Sequence, residues 1–124
     1  MTLKQSDLRQ FSGTERYSYM PLAPQFNYTD GVRHVMVHGN AVWLVADIFA
    51  FQQEPAIKKY RQQNYFQSWV LETASGQGTR SAVLTCSDGN YNELFRHEYN
   101  HTDFPLQKIE LWLEHNVLLL PSEH

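Results

Sequence analysis

Cysteine is nearly missing: Cys86 is the single one in 124 residues. That excludes an intramolecular disulfide and a cysteine-rich zinc site. A basic excess is missing as well. Ten Lys and Arg stand against thirteen Asp and Glu, for a formal net charge of −3. Domains that grip nucleic acid through its phosphates carry the opposite balance, so nucleic acid is disfavoured as a partner. Long apolar runs are missing too. AVWLVADIFAF, residues 41–51, falls short of the roughly 20 residues that span a bilayer and carries Asp47. The opening MTLKQSDLRQF has no apolar signal core. A cytoplasmic protein without membrane contact is expected. The familiar catalytic signatures are also missing. There is no Gly-x-Ser-x-Gly, no phosphate loop and no dinucleotide fingerprint. SGQG, residues 75–78, lies between expected strands with no helix behind it to receive a phosphate. No cofactor is expected.

What is present reads as one globular domain over residues 1–124, with 42% hydrophobic and 14% aromatic residues. The first half has helical periodicity. TLKQSDLRQF suits a short helix capped by Thr2 or Ser6, with Leu8 and Phe11 on one side. YSYMPLAPQFNY carries Pro21 and Pro24 and reads as an extended connection. Thr29 or Asp30 caps a helix through His38, and Gly39-Asn40 breaks it. A helix apolar nearly all round follows from about 41 to 53, with Val42, Val45, Ala46, Phe49 and Gln53 on one face. Such a helix is a buried one. PAIKKYRQQNY reads as a short polar helix or a loop. From Phe66 to Pro121 the pattern alternates in about five segments, broken by the turn signals ASGQG and SDGN. The expected class is α+β: N-terminal helices, one of them a core helix, packed on a mainly antiparallel sheet.

LRQFSGTERYSY, YTDGVRHVMVHGNAVWLVADIFAFQ, FQSW, TCSDGN, HTDFPL and LPSEH occur in this order. With these segments the chain resembles, over nearly its whole length, a family of small bacterial and phage proteins known as a domain of unknown function. The resemblance implies a single α+β domain and no particular activity. Val42-Trp43 and the terminal His124 depart from the pattern, where Tyr-Trp and an aromatic are expected.

Six residues carry the chemistry on offer. His34 and His38 are four apart on a helix, a spacing that allows a shared metal ion, but Val35 stands where the zinc proteases place their glutamate. Two amphipathic side chains at the core edge are the simpler reading. His97 and His101 lie about 13 Å apart at Cα if their segment is a strand, too far to share an ion comfortably. Thr102 to Pro105, with Asp103, reads as a structural turn. Asp47 sits alone in the apolar helix, where an unpaired carboxylate is costly, so a partner or a functional role must account for it. No bound metal is expected. Cys86 reads as packing.

The reading that follows is a non-catalytic protein-interaction, accessory or inhibitor module, with Tyr17, Tyr19, Phe26 and Tyr28 as its interface. The competing class is a small metal-dependent or hydrolase-like enzyme built on Asp47, His34, His38, His97, His101 and Asp103. A homodimer is expected from the apolar run 117–120, on the premise that the last strand forms a sheet edge.

Overall fold

The pattern changes near Phe66, and the structure changes with it. The computed structural model describes residues 3–13, 16–76 and 78–124. Helices α2 (Asp30–His38), α3 (Val42–Ala50) and α4 (Pro55–Arg61) precede strands β3 (Phe66–Ser75), β4 (Arg80–Ser87), β5 (Glu93–Tyr99), β6 (Lys108–Glu114) and β7 (Val117–Leu119). The class is α+β. Alternation sets the sheet's inner face. Trp69 pairs with Cys86 and Leu111, and Leu71 with Leu84 and Ile109, all buried. The turn of 3-10 helix Phe51–Gln53, which extends α3, lays Phe51 on Trp69 at 6.2 Å.

Two corrections concern the sheet. The proline-bearing stretch forms β1 (Ser18–Met20) and β2 (Ala23–Tyr28), so the described residues hold seven strands instead of about five. Pro24 is tolerated because the β2–β7 ladder reaches only Asn27 and Tyr28. That ladder is parallel, which makes the sheet mixed, in the order β1-β2-β7-β6-β3-β4-β5. It also moves β7 to the interior, between β2 and β6, so the edge premise for a homodimer fails. The edges are β1 and β5.

Two more concern the helices. The first helix, α1, is only Gln5–Leu8, preceded by Lys4, whose N–H donates to the Asp7 carboxylate at 3.0 Å. Ser6 lies inside it, and Thr2 lies outside the described residues. Helix α3 buries Leu44, Val45, Ile48 and Phe49, while Val42, Ala46 and Gln53 are exposed. The reason is that β2 packs against only part of its circumference, and the rest borders a groove described below.

Thr29 does cap α2, accepting from the Val32 N–H at 3.3 Å. Thr102 likewise builds a turn: its hydroxyl accepts from the Phe104 N–H at 3.2 Å, and its own N–H donates to Arg80.

Candidate functional site

An aspartate in an apolar helix needs a donor, and the fold brings one from 52 residues away. Tyr99, the last residue of β5, donates its hydroxyl to Asp47 Oδ2 at 2.6 Å. Trp43, one turn before Asp47 on α3, meets the Tyr99 ring edge-on at 5.1 Å. Burial, then the hydrogen bond to Asp47, then the charge of Asp47 all push the Tyr99 phenol strongly upward. Tyr99 is therefore a fixed neutral donor and not a base or nucleophile at ordinary pH.

Two concavities meet at this bond. One is a groove of about 580 Å³ between the β1–β2 hairpin and α3. Met20, Pro21, Leu22 and Ala23 form one wall, and Val42, Ala46, Phe49 and Ala50 the other. Its polar content is Asp47 with Gln25 and Gln53. Leu22 at its lip is fully exposed (100%), and Val42 is more than half exposed. The second concavity, about 270 Å³, is lined by Trp43, Tyr99, His101, Thr102 and Asp103.

The six candidate residues are thus divided. His101 and Asp103 share the smaller cleft, and Asp47 adjoins it through Tyr99. His97 lies on the same strand face as Tyr99, its ring 4.7 Å from Tyr99 and 5.0 Å from Phe51. His34 and His38 line neither concavity. Their rings lie 4.2 Å apart and tilted by 37°, with the Phe11 ring 5.2 Å from His34 and Asp7 Oδ2 3.8 Å from His34 Nε2. Among the described residues, no three His, Cys, Asp or Glu side chains converge as a metal site.

The aromatic interface is divided as well. Tyr17 and Tyr19 are each 60% exposed, and Tyr28 is partly buried against the core. Phe26 is not a surface residue: it is 1% exposed and stacks on Phe49 at 5.0 Å. It is the one buried residue of β2, covered by Phe49 of α3 on one side and by the Arg61 guanidinium 5.1 Å from its ring.

The residues that sequence reasoning missed are Tyr99 and the hairpin wall of Met20 and Leu22. Asp47 announced that it needed a partner, but not which one. The two prolines disguised the hairpin. No curated protein and no solved structure matches the chain. The model of a family described as a family of unknown function (DUF6876) matches residues 2–124 of the 124, and the chain belongs to that family.

Proposed function

We propose that the protein is a non-catalytic binding module whose groove between the β1–β2 hairpin and α3 takes an apolar segment of a partner protein that carries a lysine or arginine. The observation behind this reading is the groove itself. It is an apolar trough of about 580 Å³ with one carboxylate at its side. That volume falls in the range of about 300–1,000 Å³ typical of ligand sites. An exposed leucine and valine at the lips supply apolar area without a partner inside the chain. Tyr99 occupies one oxygen of Asp47 and fixes its direction, leaving the carboxylate to pair with a cation that the apolar walls partly desolvate.

Panning a displayed library of random peptides on the purified protein tests this. Expected are sequences that join apolar residues to a lysine or arginine. Their binding should be lost in Leu22→Glu and weakened in Asp47→Asn. No enrichment, enrichment of acidic peptides, or undiminished binding to Leu22→Glu would sink the groove.

The hydrolase-like reading draws its support from His101 and Asp103 lining one cleft. Two side chains are poor nucleophiles for it: Tyr99 is held protonated, and Cys86 is buried with its thiol pushed up to about 12. The setting we infer is the cytoplasm, supported by the single, reduced and buried cysteine. No helix among the described residues is long and apolar enough to cross a membrane.

A further inference from the structure

A third concavity, which shares no lining residue with the two at Asp47 and Tyr99, has the opposite chemistry. The C-terminal end of α4 and the β6–β7 turn enclose a polar cleft of about 250 Å³. Arg61, Asn64, Tyr65, Gln67, His115 and Asn116 form most of its lining, and no carboxylate is among the lining residues. Glu114, the acid that opens the turn, is engaged by His124 at 2.9 Å. A guanidinium in a cleft without an acid is a local positive field on a chain whose formal net charge is −3.

Arg61 is held in place on two sides. Its Cζ lies 5.1 Å from the centroid of the buried Phe26 ring, and one N–H donates to Asn116 Oδ1 at 3.0 Å. A guanidinium has five N–H donors, so most of the fork remains available to a ligand. Asn116 and His115 are fixed in turn by the backbone. Both have left-handed φ values, +66° and +50°, as a two-residue hairpin turn requires. The His115 ring stacks on Tyr65 at 4.1 Å and 11°, and the His115 backbone N–H donates to the Tyr65 carbonyl at 3.1 Å. Two carbonyls near the cleft that would repel an anion are engaged. Tyr60 O accepts from Asn64 Nδ2 at 3.0 Å, and Phe66 O accepts from the Tyr60 hydroxyl at 2.6 Å. Asn64 and Asn116 each keep an amide hydrogen for a guest.

The geometry points to a binding site for a small oxyanion, a carboxylate or a phosphate group, gripped by the Arg61 fork and flanked by the Asn64 and Asn116 amides. The cleft is smaller than the roughly 300–1,000 Å³ of drug-sized ligand sites, which suits one compact group better than a chain. Nothing in this site depends on the groove at Asp47, and either can fail without the other.

Amide NMR titrations of the whole chain with acetate and, separately, inorganic phosphate test the site, with chloride holding ionic strength constant. Expected are saturable shifts confined to residues 61–65 and 113–116. Arg61→Gln should weaken binding by about tenfold or more, the worth of one charge-assisted bond. Tighter binding of acetate assigns a carboxylate ligand, and tighter binding of phosphate a phosphate ligand. Asn116→Gly keeps a residue suited to the left-handed turn and removes the anchor of Arg61. It should also weaken binding, and it decides the question if Arg61→Gln fails to fold. Absence of saturable shifts with both probes, or unchanged affinity in the folded variants, overturns the proposal.

Discussion

Gln52 is a polar side chain that the core accepts because Gln67 answers it. The two amides bond reciprocally, Gln52 Nε2 to Gln67 Oε1 at 2.9 Å and Gln67 Nε2 to Gln52 Oε1 at 2.8 Å. Trp69 Nε1 also donates to Gln67 Oε1 at 2.9 Å. Removing Gln67 leaves Gln52 Oε1 without its donor inside the core, and removing Gln52 leaves Gln67 Nε2 without its acceptor. Gln67→Leu alone should therefore cost roughly 2–4 kcal/mol, and Gln52→Leu a similar amount. The double variant should cost clearly less than their sum, because no amide is then left unpaired and only the Trp69 indole N–H has lost its acceptor. Urea melts of the four proteins check this, and simple additivity would mean that the pair does not act as a unit. Cys86 gives a second test. Burial pushes its thiol up to about 12 from an ordinary 9.0. Between those values the unfolded chain loses a proton that the folded chain keeps, so stability falls as pH rises through that window. The raised phenols of Tyr99 and Tyr60 act in the same direction at higher pH. At pH 8 the native thiol should react with a disulfide reagent far more slowly than the urea-unfolded one; equal rates would refute the burial argument. At this scale the candidate site was half legible. The cost of burying a carboxylate singled out Asp47, whereas Tyr99 is joined to it only by the pairing of β5 on β4, a long-range choice that no local pattern encodes.

Helix α2 is held at its start by the far end of the chain. Thr29 Oγ1 donates to Glu123 Oε1 at 2.6 Å, the Leu120 N–H donates to the same oxygen at 2.9 Å, and the Gly31 N–H donates to Oε2 at 3.1 Å. A carboxylate at a helix N-terminus meets both unpaired N–H groups and the positive end of the dipole. Glu123→Ala should lower stability by about 1–2 kcal/mol. Gly31→Ala should also be harmful, because a Cβ there would stand 2.6 Å from Glu123 Oε1 and 2.6 Å from Leu120 Cδ1. Denaturant midpoints decide, and a change below about 0.5 kcal/mol in both variants would mean that the docking is incidental. The elements that sequence resolved best were those whose signals are local. Thr29 caps α2, Gly39 ends it, and SDGN turns β4 into β5, with Asp88 accepting the Asn90 N–H at 2.7 Å. The elements misread were those that tertiary pairing decides. Three-residue β1 exists because Ser18 and Met20 pair with β2, and β2 joins the sheet only where β7 runs parallel to it. The exposed side of α3 was not foreseen for the same reason: a helix apolar nearly all round gives no internal sign of which side a hairpin will leave open.

At the scale of the whole molecule, the question is whether two copies associate. The apolar strand β7 no longer argues for it, since β2 and β6 cover both of its edges. The sheet's free edges are poor templates. Strand β1 has three residues followed by Pro21, which cannot extend a ladder as a donor. Strand β5 carries exposed Glu93, Arg96 and Glu98, with Arg96 and Glu93 3.7 Å apart. Charged side chains along an edge oppose pairing with a second sheet. An apolar surface that stays open is the groove with exposed Leu22 and Val42. A twofold contact there matches each patch with itself, so it would bring the Asp47 carboxylate of each copy toward the other without a cation between them. Apolar gain and like-charge repulsion then oppose each other, and the partner that suits the groove is one carrying a positive charge. Sedimentation at micromolar concentration should accordingly show a monomer, for the parent chain and for Leu22→Glu alike. A stable dimer would sink this expectation, and its loss in Leu22→Glu would make a second copy of the chain the occupant of the groove.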